Sequence, residues 1–234
     1  MKKLLFLTIL YTFSFIHLYS QNSAKYGYIL RANLARASQY TEFASADGKD
    51  SVRISPGGGA GGEVGLFLSK LSKKEKYYYE FYTNLEYHFH YAHSGYLSYS
   101  FNRKTIFTGM NFKVYMGTVF VAKFGVTFGG GLNYSFLGTM KMAENKYEYG
   151  EATFKPNYGY HFDLGFIIIR KSCQLIPSLR FRDANFDINK FTGGQANPTY
   201  AANVNKFRDG NQEISMSGFD LSITFRKTIR NSKD

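Results

Sequence analysis

Residues 77–91, YYYEFYTNLEYHFHY, separate almost without error when read in twos. Tyr77, Tyr79, Phe81, Thr83, Leu85, Tyr87, Phe89 and Tyr91 fall on one side; Tyr78, Glu80, Tyr82, Asn84, Glu86, His88 and His90 fall on the other. Successive side chains of a strand point to opposite faces, so this ribbon has one aromatic face and one ionisable face. A helix would scatter the same carboxylates and imidazoles around its circumference. The ribbon also far exceeds the ~5–6 residues usual for soluble strands. Large rings outside and charges inside is the polarity of a membrane-spanning barrel and the inverse of a soluble sandwich.

The same alternation recurs along the chain. Ribbons are predicted at about 25–36, 57–71, 77–91, 104–116, 119–137, 157–170, 173–188 and 212–229. Leu85, Phe124, Phe128, Phe162, Phe219, Leu221 and Phe225 join Tyr79, Phe81 and Phe89 on the face assigned to lipid. Tight turns at 72–76, 117–118 and 171–172 alternate with longer polar connections, among them 37–56, 93–103, 138–156 and 189–211. Short turns at one end, long loops at the other and an even strand number are the connection pattern of outer-membrane barrels. The expected fold is therefore all-β, an eight-stranded antiparallel up-and-down transmembrane β-barrel. Pro177 inside the seventh ribbon predicts a strand end or a bulge, because proline cannot donate to a ladder.

Composition agrees with a β-rich exported chain. There are 20 Tyr, 23 Phe and no Trp, with 23 Gly against only 4 Pro. Met1-Lys2-Lys3 precedes an apolar stretch, residues 4–16, and then Ser20-Gln21, which reads as an export signal over 1–20 followed by one barrel domain over 21–234. The apolar stretch is too short to cross a bilayer as a helix. Net charge is +12, and loss of Lys2 and Lys3 leaves +10. Export excludes nucleic acid as the partner; outer-membrane lipid and lipopolysaccharide are the expected counter-charge. The lone Cys173 allows no internal disulfide and no cysteine-based metal site.

An eight-stranded barrel has room inside only for its own side chains. Glu63, Glu80, Glu86, Asp163 and Asp220 are assigned to the lumen with Arg31, Lys113, Lys123, Arg180, Arg182 and Arg226, five acids against six bases. Near-balance predicts a salt-bridged filling, since buried charges persist only when paired. His88 and His90 point inward in the same network, with His161 across the barrel and His93 near the rim. They are the residues a lipid A-modifying enzyme of this fold would use, with Ser94, Ser98 or Ser100 as the nucleophile. Two histidines at i and i+2 still lack a third metal ligand, and no metal, cofactor or catalytic group is assigned. Arg103, Lys104, Lys141, Lys146, Lys155 and Arg208 are read as basic loop residues able to meet lipopolysaccharide phosphates. The glycine run 57–62 contains GxGxxG but opens no helix, so it is no dinucleotide fingerprint.

Three stretches carry a family resemblance: EYHFHYAHSG over 86–95, KFGVTFGGGLNY over 123–134, and GFDLSITF over 218–225. In these the chain resembles the outer-membrane β-barrel domain of Bacteroidetes-type bacteria, including its PorT-like members, over nearly all of its length after residue 20. The resemblance implies a Gram-negative outer-membrane location and, for PorT-like members, work alongside secretion or envelope proteins. Residues 226–234 extend beyond the aromatic at which such barrels often stop. A non-enzymatic barrel with a structural, interaction or secretion-accessory role is the leading expectation. The alternatives are the lipid-modifying enzyme and a soluble periplasmic barrel holding a hydrophobic ligand inside.

Overall fold

A computed structural model describes residues 25–37, 41–44, 51–54, 58–71, 77–94, 97–119, 122–144, 147–193 and 213–229. Fourteen strands run through them: β1 (Lys25–Ala37), β2 (Thr41–Ala44), β3 (Ser51–Ile54), β4 (Gly59–Leu71), β5 (Tyr77–Ser94), β6 (Leu97–Val119), β7 (Ala122–Leu137), β8 (Met140–Glu144), β9 (Tyr147–Phe154), β10 (Asn157–Arg170), β11 (Cys173–Arg182), β12 (Asn185–Gly193), β13 (Glu213–Ser215) and β14 (Gly218–Ile229). Eight of them close on themselves in the order β1-β4-β5-β6-β7-β10-β11-β14, every neighbouring pair antiparallel. The seam between first and last strands is fully zipped, from Tyr26↔Ile229 to Ala37↔Gly218. Closure removes the unpaired edges that an open sheet would expose.

Alternation decides what each face carries. Outside, Leu34, Leu221, Leu179 and Leu164 are paired across four adjacent strands, and Leu164 continues to Phe128 and then Phe112. Leu164 is 61% exposed and Leu221 64%. Inside, narrow residues make room for wide ones. A Cβ on Gly65 would sit 2.1 Å from Asn84 Oδ1, and one on Gly129 2.3 Å from Asn111 Oδ1. Glycine at these two positions is a packing requirement of a tightly curved wall.

Strand pairing continues beyond the barrel at the end away from the tight turns. There β6 pairs with β8, β8 with β9, β9 with β12 and β12 with β13. Tyr99, Phe101, Met140, Ala152, Ala184, Phe186, Ile214 and Met216 form a buried apolar cluster in this extension.

Several boundaries differ from the expectation. The connection expected over 93–103 is strand almost throughout, because β5 runs to Ser94 and β6 starts at Leu97. The polar segment 138–156 contains the hairpin of β8 and β9, which stays in the ladder by pairing with β6. Gly117-Thr118 is not the turn: β6 continues to Val119 through an irregularity between Tyr115 and Gly117. The seventh ribbon divides at Arg182 into β11 and β12, and the eighth divides into β13 and β14. Pro177 lies within β11, neither at its end nor at a bulge. It keeps register with Ile223 of β14, while the β10 ladder skips from Gly165↔Ser178 to Ile168↔Leu175 without a register shift. The missing N–H is thus absorbed as a local gap in one ladder. The expected export signal over 1–20 lies outside the described residues, as does the turn 72–76.

The ion-filled lumen as candidate functional site

The inward residues form layers. Nearest the tight turns, Glu80 accepts hydrogen bonds from Lys113 Nζ at 2.5 Å, Asn111 Nδ2 at 3.2 Å and Arg226. Lys113 donates a further bond to Gln174 Oε1 at 3.1 Å. One carboxylate thus joins β5 to β6 and, across the lumen, to β14.

Above it lies an apolar layer of Ile29, Phe67, Tyr82 and Phe107, all buried. Its rings are also platforms for cations: the Arg180 guanidinium carbon stands 4.0 Å from the Phe107 centroid, and Lys113 Nζ 5.8 Å from that of Phe67. Tyr82 Oη donates to Asp163 Oδ2 at 3.1 Å and lies 2.6 Å from His161 Nε2.

The middle layer is organised by Arg180. Its Nε and Nη2 reach the two oxygens of Asp163 at 3.0 and 3.3 Å, and its Nη1 reaches Glu63 Oε1 at 2.6 Å. Arg31 meets the same pair, 3.1 Å from Asp163 Oδ1 and 3.5 Å from Glu63 Oε1, and donates to Thr224 Oγ1 at 2.7 Å. Asn84 donates to Glu63 at 3.0 Å, and Asn33 bridges Glu63 to Glu86 at 3.2 and 2.8 Å. The fork geometry of arginine lets one cation serve two carboxylates at once.

In the upper layer Arg103 donates twice to Glu86 Oε2, at 3.2 and 2.8 Å, and Arg182 pairs with Asp220. His88 Nδ1 lies 3.4 Å from Glu86. His90 donates from Nδ1 to the Gly58 carbonyl at 2.6 Å and stacks between His88 and Phe101, at centroid distances of 4.6 and 4.7 Å. The two imidazoles lie nearly parallel, 18° apart, so their ring edges do not converge on one ion. Among the described residues no group of three His, Cys, Asp or Glu could hold a metal.

Arg31, Glu63, Glu80, Glu86, His88, His90, Lys113, His161, Asp163, Arg180, Arg182, Asp220 and Arg226 are all buried in the lumen. Lys123 is not with them. It pairs with Thr118 beside the β6–β7 turn and is exposed, because its parity is inward but its height places it past the last buried layer. Arg103, read as a loop residue, takes its place as the sixth buried base. Lys104, next to it, is exposed on the outer face. Lys141 and Lys155 are surface residues paired with Glu151 and Asp187 at 3.5 and 3.6 Å. Lys146 and Arg208, like the side chains of His93 and Ser94, lie outside what is described. Ser98 and Ser100 alternate with the buried Tyr99 and Phe101, which sets them on the opposite face from His88 and His90. Neither serine is placed to be activated by those imidazoles. All ten residues assigned to lipid lie on the outer face, Phe81 and Phe225 half-buried and the other eight exposed.

Closed strands, an apolar exterior and an ionic interior define the class: an eight-stranded transmembrane β-barrel. No protein-family profile matches the chain, and no curated protein sequence does either. Among solved structures it is similar to the outer membrane protein OprG of Pseudomonas aeruginosa, at 13% identity over 88% of this chain and 96% of that one, TM-score 0.48. It is also similar to a major outer membrane protein of Thermus thermophilus, at 13% identity over 89% and 100%, TM-score 0.47. The outer membrane protease OmpT of Escherichia coli matches at 6% identity over 88% and 93%, TM-score 0.39. None of these likenesses carries a function to this chain.

Proposed function

We propose that the chain is a non-enzymatic integral protein of a Gram-negative outer membrane, whose lumen is filled by its own side chains and whose role is structural, interactive or accessory to secretion. The observation that carries this reading is the ion network spanning the interior, from Glu80 on one layer through Arg180 to Arg103, inside a wall whose exterior is leucine and phenylalanine. Such a filling holds the wall in register and occupies the space a diffusing solute would need. The apolar Ile29, Phe67, Tyr82 and Phe107 are packed together as one layer of that filling, so they do not favour a soluble carrier of a hydrophobic ligand. Outer-membrane lipid is the solvent the exterior demands. The resemblance to PorT-like barrels supports secretion or envelope proteins as partners, and an export signal over 1–20 belongs to the same reading.

Two measurements test it. In a planar bilayer the purified barrel is expected to show no steady open-channel conductance; a stable, long-lived open level would overturn the filled lumen. Proteins co-purifying from mildly solubilised membranes test the accessory role, and recovery of the barrel without any secretion component would remove that part of the reading.

A further inference from the structure

Lys171 and Ser172 form a two-residue hairpin turn between the paired Arg170 and Cys173, a connection that takes positive φ at a central residue. Lys171 has φ of 55°, the one non-glycine residue with positive φ among the described residues. Glycine or asparagine adopts this left-handed conformation at less steric cost than a long side chain. The turn is held against the neighbouring strand by the Thr228 N–H, which donates to the Ser172 carbonyl at 3.0 Å.

Beside it opens a cleft of about 640 Å³ lined by Tyr28, Lys171, Ser172, Lys227, Thr228 and Ile229. None of the six is acidic. Lys227 is the Cα partner of both Tyr28 and Cys173, so the second ammonium side chain stands directly next to the turn and the tyrosine. Tyr28, Lys227 and Ile229 all belong to the outward parity of their strands, and Ile229 is 45% exposed. The cleft therefore faces the lipid side of the wall at its turn end. Two cations and the hydroxyl residues Ser172 and Thr228 lie at the level of the turn, with an aromatic and an aliphatic side chain alongside them.

We propose that this cleft binds an anionic phosphodiester lipid headgroup of the leaflet at the turn end, the periplasmic one, with Lys171 and Lys227 on the phosphate and Tyr28 and Ile229 along the first part of the acyl chain. The inference rests on the membrane-spanning reading above. A zwitterionic headgroup is disfavoured because its own ammonium meets two lysines with no carboxylate to receive it. The phosphate chemistry alone would also suit free phosphate; the apolar flank is what selects a lipid.

Native mass spectrometry of the detergent-solubilised barrel, titrated with phosphatidylglycerol or phosphatidylcholine, tests this directly. Wild type is expected to retain one phosphatidylglycerol with about a tenfold preference over phosphatidylcholine, and the Lys171→Gln/Lys227→Gln pair to lose that preference. Lys171→Gly, which removes the ammonium while relieving the backbone, is expected to weaken retention without disturbing the fold. Lys190→Gln, a change at an exposed lysine of β12 at the other end of the barrel, is expected to leave retention unchanged. Equal retention by wild type and the double variant overturns the site. Displacement of the lipid by millimolar inorganic phosphate overturns the lipid assignment. A barrel that inserts into vesicles yet shows no preference refutes the cleft alone, whereas failure to insert refutes the membrane reading beneath it.

Discussion

Replacing Arg180 with leucine is expected to destabilise the barrel by about 3–5 kcal/mol, the loss seen when one member of a buried ion pair is removed. Arg180 is fully buried and holds Asp163 by two contacts and Glu63 by a third. Its removal leaves those carboxylates sharing only Arg31 as a nearby cation, at 3.1 and 3.5 Å. The cost arises from anions stranded in a medium that solvates them poorly, so it should be reversible by removing the anions too. Arg180→Leu combined with Arg31→Leu, Asp163→Leu and Glu63→Leu, which leaves no ion of this layer without a partner, is expected to recover most of the stability. The check is the urea midpoint of unfolding in lipid vesicles, followed by circular dichroism or by the shift between folded and unfolded bands on an unboiled gel. A single Arg180→Leu variant with an unchanged midpoint would mean that the lumen is wet enough to solvate the carboxylates.

The second large effect belongs to the opposite face. Leu164 lies midway along β10, laddered to Phe128 and Leu179, and is 61% exposed. In water an exposed leucine is an indifferent position, and a leucine-to-arginine change there would cost little. At the bilayer midplane the same change costs about 2–4 kcal/mol, with the penalty falling toward the interfaces. Leu164→Arg is therefore expected to lower the unfolding free energy in vesicles by about that amount. Lys123→Ala, at the exposed turn end, should leave it within a few tenths of a kcal/mol. Equal, small effects at the two positions would place Leu164 in water.

These two residues also show what the chain makes legible. A period of two identifies a strand and sorts its faces, and β10 runs over residues 157–170 as the alternation indicates. Alternation says nothing about height. Lys123 has the parity of the inward Gly125 and Thr127 but stands one step past the buried layers, exposed beside the turn. Arg103 was obscured for a different reason. Beyond the last ion layer the rule that rings face out and ions face in reverses, and β6 there buries Tyr99 and Phe101 on the inner side. A strand with aromatics inside and Ser98, Ser100 and Asn102 alternating with them does not look like the rest of the barrel, so it passes for a loop. The apolar cluster over the lumen draws Met140, Ala152, Phe186 and Ile214 from short strands far apart in the chain. No single one of those strands is long enough to announce a face.

The absence of tryptophan from the chain supplies the most direct test of sidedness, because one introduced indole is then the sole such reporter. Leu164→Trp, reconstituted in vesicles of lipids brominated at successive acyl carbons, is expected to be quenched most strongly by bromine near the chain ends and to ignore aqueous acrylamide. Fluorescence quenched by acrylamide and untouched by brominated acyl chains would contradict the account, because leucines and phenylalanines facing water would leave the buried ions without the membrane barrel that explains them.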